Sequence, residues 1–405
     1  MVKKIVALLL VLTMALTLVG ASAETQLTFM HMFGQENIQA FFDEVIAEYE
    51  ATYPGVTITP QYATFDTINQ QLTVNVASGT VPDITFLNNP DFAAYVEMGS
   101  FANLNEYAQA WEDIDQFYPS ALEAGTINGD VYGFPFDTNC LALFYNKDML
   151  DAAGVAVPTT IPEMIEAAAA LTNPDTNTYG MIIAGADSEE TTFQFIPFLY
   201  SFGGSYDQVN SEQGIAALQM YVDLIDAGSM TQEIITMGQG DIRDRWIAGQ
   251  AAMMINGTWE VNTIKNGGYE DLDFNWGVTM IPTGDAGSYS CLGGKIIGCG
   301  NGAHVEESFN FIKMLCSKEN MLEFAKRVGA VPNRADVAED PFWQEDPEIA
   351  VFVAQMETAV PRGPHKNWPQ ISQAIRTAMT SALSGNSSVE DALNLAQGTI
   401  DSLLK

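Results

Sequence analysis

Apolar and polar residues alternate from Gln26 to Met30, the period of a half-buried strand. Ile38, Phe41, Phe42, Val45, Ile46 and Tyr49 then recur at steps of three and four, which predicts one apolar helical face. Pro54-Gly55 stops that helix, and Val56 to Thr59 alternate again. The same order returns downstream, where Ile84 to Leu87 reads as a strand and Phe92, Tyr95 and Val96 as a helix face. Strands alternating with helices predict an α/β architecture with mainly parallel pairing. In such sheets ligands sit beyond the carboxyl ends of the strands. That rule selects two stretches, His31-Met32-Phe33-Gly34-Gln35 and Asn88-Asn89-Pro90-Asp91. His31, Phe33 and Gln35 enter as candidates by position alone. Asn88, Asn89 and Asp91 also have hydrogen-bonding chemistry, although Asn-Asn-Pro equally forms an ordinary turn.

Further along, Pro162 to Leu171 predicts a helix opened by proline, and Glu212 to Ala227 another, ended by Gly228. Arg243 to Gln250 leads into the buried strand Ala252 to Ile255, broken at Asn256-Gly257 and followed by Trp259. The tail from Ile371 to Leu404 is helical with a break at Ser384-Gly385-Asn386. Neither an internal repeat nor a single long linker interrupts this pattern, so several short crossings are expected to join the units.

The start of the chain departs from it. Lys3 and Lys4 precede an apolar run, Ile5 to Val19, and Gly20-Ala21-Ser22-Ala23 supplies small residues at an A-x-A cleavage pattern. The run is short for a spanning helix, which needs about 20 residues. Residues 1–23 therefore read as a signal peptide. Leu18-Val19-Gly20 resembles the start of a lipidation signal, but Ala21 stands where the acylated cysteine would be. The expected product is a soluble, exported protein, periplasmic or extracellular.

Composition narrows the partners. The chain has 51 acidic and 16 basic residues, a formal net charge of −35. Nucleic acids, anionic membranes and polyanionic substrates would meet a like-charged surface. The acids are spread along the chain, and the apolar fraction of 47% is that of a folded protein, so disorder is not expected. Residues 24–405 exceed what one core organises, which predicts two lobes. Cys140, Cys291, Cys299 and Cys316 match no zinc spacing, and His31, His304 and His365 lie far apart; no metal or other cofactor is expected. A Cys291–Cys299 disulfide is left open by the sequence.

Several segments in order resemble the extracellular solute-binding proteins of ABC sugar importers, the maltodextrin-binding-protein-like group. They are ASGTVPDITFL (77–87), NGDVYGFPFDTNCLALFYNKDML (128–150), AGQAAMMINGTW (248–259), WGVTMIPTG (276–284), GAVPNRADV (329–337) and ISQAIRTAMTSALSG (371–385). The chain departs from the group at Ile161, where many relatives carry tryptophan, and in lacking the lipidation cysteine. The resemblance implies a two-lobed periplasmic-binding-protein-like fold with the ligand cleft between lobes. One lobe would comprise 24–137 and 285–331, the other 138–284 and 332–405. The crossovers would lie near Phe136–Asn139, Pro282–Asp285 and Val331–Asn333, and closure would be a hinge motion. It further implies a monomer that binds a small carbohydrate and delivers it to the membrane permease subunits of an ABC importer.

Sugar recognition needs flat aromatics for C–H faces and Asp, Asn, Gln or Arg for hydroxyls. By family position Trp259 is the stacking platform, although a tryptophan after a buried strand also suits a core. Phe193 corresponds to another cleft aromatic, with Phe195, Phe198 and Phe202 beside it favouring a core role equally. Asp137 stands where relatives use a carboxylate to accept paired hydroxyls, charged and so a stronger partner, against a turn or cap aspartate. Arg334 and Trp368 are cleft candidates by family position, against an exposed ion pair and a packing tryptophan. Gly293-Gly294 either lets backbone amides approach a ligand or forms a turn. Two rival readings stand beside this one. Paired carboxylates could cleave a glycosidic bond, though no nucleophile elbow, HExxH, P-loop or Rossmann fingerprint occurs. A polyamine or peptide ligand is the other, and a cleft lined by acids without neutral amides would favour it.

Overall fold

The computed structural model describes residues 25–266 and 272–405; the leader 1–23 lies outside them. Two sheets organise the chain. The first has five strands in the order Val56–Tyr62, Thr25–His31, Ile84–Asn88, Gly293–Cys299 and Gly133–Asn139. The second has four, Trp276–Thr279, Leu141–Asn146, Ala251–Gly257 and Tyr179–Ile182. Each strand is followed or flanked by helices whose apolar faces cover the sheets. In helix Glu36–Thr52 the six residues of the predicted stripe, Ile38 to Tyr49, are all buried. Helix Ile161–Leu171 starts one residue earlier than expected, because Thr160 and Glu163 form a reciprocal capping box.

Pairing is mixed rather than mainly parallel. Thr25–His31 runs parallel to both neighbours, but Gly293–Cys299 is antiparallel to Ile84–Asn88 and to Gly133–Asn139. In the second sheet Leu141–Asn146 is antiparallel to both of its neighbours. The cause is the crossings. A strand arriving from the other lobe begins at the cleft, whereas βαβ strands end there, so the two kinds lie in opposite senses. The first crossing is immediate, Asn139 to Leu141. The return lies beyond the expected Pro282–Asp285: Thr283 still bridges Thr160, and Ala286 donates to the Ser201 carbonyl. Only at Gly293 does the chain join the first sheet. A third contact point is Val331, which bridges Thr138, whereas helix Pro347–Gln355 packs on the second sheet. Helix Asn89–Glu97 of the first lobe packs against Trp368–Leu383 of the second.

Another expectation changes at residues 88–91. They do not form an open turn: Pro90 occupies the first turn of helix Asn89–Glu97, with Asn88 as its extended N-cap. Proline's fixed φ suits that position, and its missing N–H is an orphan there anyway.

Aromatic rings fill the first core. Phe86 is fully buried, with ring centroids of Phe29, Phe33 and Phe136 at 5.6, 5.5 and 4.9 Å. In the second, fully buried Trp246 meets Phe144 and Trp276 near its edges, at 6.1 and 6.2 Å. The four cysteines are free and buried. Because Phe86 joins the first sheet to the strand that leaves it, Phe86→Ala should destabilise this lobe by about 3–5 kcal/mol, the range for truncating a buried aromatic. A lowered urea midpoint for the first lobe checks this.

Candidate functional site in the interlobe cleft

Strand ends from both sheets converge on one cavity of about 220 Å³. The first lobe contributes the loop after Thr25–His31, with Met32, Phe33 and Gln35, and Asn88 at the end of the third strand. Asp137 and Asn139 come from the outgoing strand and Gly293, Gly294 and Lys295 from the returning one. The second lobe supplies Trp259, just past strand Ala251–Gly257, and Phe193 on helix Glu189–Ser201.

The aromatic wall is built by local geometry. Trp259 and Phe193 face one another nearly parallel, 23° apart with centroids at 6.3 Å. A Cβ at residue 257 would lie 2.1 Å from the indole of Trp259, so only glycine lets the ring fold back over the strand end. The indole N–H donates to Glu260 Oε1 at 3.1 Å. Glu260 is buried beside Arg243, and burial pushes its carboxyl up to about 7 against the pull of that guanidinium. The Arg362 guanidinium covers Phe193 at 4.4 Å from the centroid.

The charges are paired across strands and helices. Asp137 is 3% exposed; its Oδ1 accepts the Lys295 backbone N–H at 2.6 Å and its Oδ2 lies 3.1 Å from the ammonium. Gly294 makes that pairing possible, since its φ of +137° and the Asp137 carbonyl, 2.2 Å from a hypothetical Cβ, leave no room for a side chain. Glu189 Oε1 accepts from Arg362 at 2.6 Å and from the indole of Trp368 at 2.9 Å. Glu190 accepts the Gln239 backbone N–H at 2.8 Å, and burial raises its carboxyl above the ordinary range. Among the described residues, four buried polar atoms of the lining have no partner: Asn88 Nδ2, Gln239 Nε2, Thr258 Oγ1 and Arg362 Nε. Buried groups of this kind are nearly always hydrogen-bonded in finished structures. The cavity therefore suits a molecule with an apolar face for the rings and a rim of groups that accept and donate. Among the described residues no three His, Cys, Asp or Glu side chains converge as metal ligands.

Of the residues selected from sequence, Phe33, Gln35, Asn88, Asp137, Phe193, Trp259, Gly293 and Gly294 share this cavity. Five do not line it. His31 remains within its strand, 3% exposed among Phe29, Phe42 and Tyr62, and burial drops its pKa to about 4. Asn89 is the first residue of its helix. Asp91 lines an adjoining groove instead, accepting from Asn69 Nδ2 at 2.9 Å. Arg334 is 1% exposed, forked onto Asp336 and bonded to the Cys316 carbonyl at 2.8 Å, so its charge is spent inside the protein. Trp368 is fully buried and reaches the site only through Glu189.

Sequence reasoning missed Asn139, Thr258 and Lys295, each one or two residues from a selected position. It also missed Glu189 and Glu190, which precede Phe193 by four and three residues and so share its helix face. Arg362 and Gln239 carried no local signal; they are placed by loops and helices distant in sequence.

Burial, and after it the facing Glu189 carboxylate, push Asp91 up to about 7. A carboxyl raised in the folded state stabilises while protonated, and that contribution is lost as pH rises from about 4 to about 7. Asp91→Asn should therefore gain a few degrees in Tm over the parent at pH 8 and little at pH 4, as thermal unfolding at the two pH values would show.

The family described as bacterial extracellular solute-binding protein matches residues 44–351. The maltotriose-binding protein of Pyrococcus abyssi is 25% identical over 366 residues, covering 84% of this chain and 75% of that protein. A solute-binding protein of an ABC transporter from Thermotoga lettingae, solved with α-D-tagatose, superposes with a TM-score of 0.86 at 26% identity, over 94% of this chain and all of the other. The GacH receptor of Streptomyces glaucescens, solved without ligand and with acarbose, gives 0.84 at 26% identity over 94% and 98%. With the two sheets, their short crossings and the cleft between them, this chain belongs to the bacterial extracellular solute-binding protein family.

Proposed function

We propose that the protein captures a sugar or short oligosaccharide outside the cytoplasm and delivers it to the membrane subunits of an ABC importer. The observation that carries this reading is the cavity wall: the Trp259–Phe193 aromatic surface faces buried, unpartnered donors on Asn88, Gln239 and Arg362. Pyranose rings present C–H faces to such rings and hydroxyls to such donors. The sugars held by the tagatose-bound and acarbose-bound neighbours support the same ligand class.

The charge pattern argues against a polyamine. Asp137 is matched by Lys295 and Glu189 by Arg362, and the third acid, Glu190, accepts the Gln239 backbone N–H. Neutral amides of Gln35, Asn88, Asn139 and Gln239 line the same space. Among the described residues, the two ion pairs leave Glu190 as the one cavity carboxylate without a cation, whereas glycoside cleavage calls for a pair of free carboxyl groups. The family's members are binding proteins, and the protein is proposed to act without catalysis, as a monomer. Among the described residues no helix is long and apolar enough to cross a membrane. Together with the leader-like residues 1–23 and Ala21 in place of a lipidated cysteine, this supports release of a soluble exported chain.

A thermal-shift screen with sugars, polyamines and peptides tests the reading, because a ligand of the native state raises the midpoint. Sugars should shift it; a shift by polyamines or peptides alone would sink the carbohydrate claim. Oligosaccharides recovered after long incubation should be intact. Trp259→Ala should weaken binding of the best sugar by about 1–3 kcal/mol, the size of a lost stacking contact, by calorimetric titration.

A further inference from the structure

We infer that Glu260 is a positioning residue: its carboxylate holds the Trp259 indole by the N–H, so that the ring meets a ligand with its face alone. This rests on the carbohydrate reading above and deepens it. Trp259 is half-buried and lines the cavity, whereas Glu260 is 1% exposed. The indole Nε1 donates to Glu260 Oε1 at 3.1 Å, so the N–H is spent inside the protein and withdrawn from the cavity. Torsions that end on a flat ring are broad and roughly two-fold. Packing over Gly257 therefore confines the plane of the indole, and the bond to Glu260 selects which edge points inward. The donors left to a ligand's rim are then those of Asn88, Gln239 and Arg362.

Glu260 lies in the first turn of helix Trp259–Asn266, where an acid ordinarily serves the helix N-terminus from the solvent side. Here the carboxylate does something else. Among the described residues neither of its oxygens accepts a backbone N–H: Oε1 takes the indole, and Oε2 lies 3.6 Å from Arg243 Nη1. Arg243 is joined in turn to Asp244 Oδ1, through Nε at 2.9 Å and Nη2 at 2.8 Å. A buried carboxylate is costly unless it is paired, and the cation that pairs this one belongs to helix Gln239–Ile247. The same helix begins with Gln239, which carries the unpartnered Nε2 on the cavity wall and gives its backbone N–H to Glu190. Through Glu260 and Arg243 the ring is therefore fixed in register with a group that binds hydroxyls. A pyranose presents its C–H face and its hydroxyl rim together, so a platform set relative to such a donor recognises both at once.

Two measurements on the full protein test this. In ligand-free protein labelled with ¹⁵N at tryptophan, the Trp259 indole signal is identified by its loss in Trp259→Phe. Its proton should exchange with solvent about tenfold faster in Glu260→Ala than in the parent, the size of losing a hydrogen bond to a charged group. Affinities for D-tagatose, maltose and mannobiose are then taken by calorimetric titration. For the sugar bound most tightly, Glu260→Ala should weaken binding about tenfold, and Glu260→Gln, which keeps an acceptor of the same shape, by less. In a Trp259→Phe background no N–H remains to be held, and there Glu260→Ala should cost about twofold or less. A merely structural role would lower affinity equally in both backgrounds. Should the alanine variant fold poorly, Glu260→Gln carries both measurements, with smaller changes in the same direction. Unchanged exchange, or an equal loss of affinity with and without the indole N–H, overturns the positioning role and leaves sugar binding standing. No binding to any of the three sugars counts against the carbohydrate reading and not against the hold on the indole, which the exchange rate decides alone.

Discussion

The pairing of Gly133–Asn139 with Gly293–Cys299 is the constraint on which the rest of the molecule depends. Both strands carry the chain between lobes, one leaving the first sheet and the other returning to it. Asp137 fastens them twice, through the backbone N–H of Lys295 and through its ammonium. A carboxylate this buried is tolerable only because both oxygens are engaged, and removing either partner would strand a charge. The register shifts beside this tie, between Lys295 and Ile296. Such a bulge redirects a strand and its side chains. Gly294 is required within the same few residues because the Asp137 carbonyl fills the space of its Cβ. One short segment thus joins the lobes, sets the floor of the cleft and presents a cation to it.

From that floor the remaining geometry follows. Strands of either lobe that end at the cleft deliver their next residues into it, which is why Phe33, Asn88 and Trp259 meet although far apart in sequence. The second lobe adds helix Glu189–Ser201, whose first turns bring Glu189, Glu190 and Phe193 to the same face. Glu189 is held by Arg362, Trp368 and Ser372, so it is positioned by three groups outside its own helix. Among the described residues, Asn88 Nδ2, Gln239 Nε2, Thr258 Oγ1 and Arg362 Nε stay unpaired on the cleft side, and there a ligand can satisfy them. Under the proposed function, a ligand touching both lobes completes the polar atoms each leaves open, and such contacts favour a closed form.

Residues 25–100 were legible as alternating strands and helices because period-two and period-four patterns register which face is buried, and burial is the dominant cost in choosing a conformation. The helices at 36–52, 161–171 and 212–226, the buried strand at 251–257 and the two tail helices all carried that signal. Of the eight residues picked for the site that lie around the cavity, Phe33, Gln35 and Asn88 were marked by strand ends, whereas Asp137, Phe193 and Trp259 came from the family resemblance. His31 was misplaced by a strand that runs one residue longer. Arg334 and Trp368, cleft candidates by family position, instead form a buried ion pair and a packing tryptophan, because nothing local says that a guanidinium will find Asp336 or an indole Glu189.

By itself, then, the sequence determined many of the strands and helices, which of their faces are apolar, that the chain carries a leader-like start and a strong acidic excess, and which strand ends were candidates for chemistry. Only the tertiary structure decided the mixed sense of the sheets, the late return crossing, and the partnerships Asp137–Lys295 and Glu189–Arg362. The physical reason is range. Hydrophobic periodicity and capping act within a few residues, whereas ion pairs and shared cavities depend on which distant segments come to lie side by side.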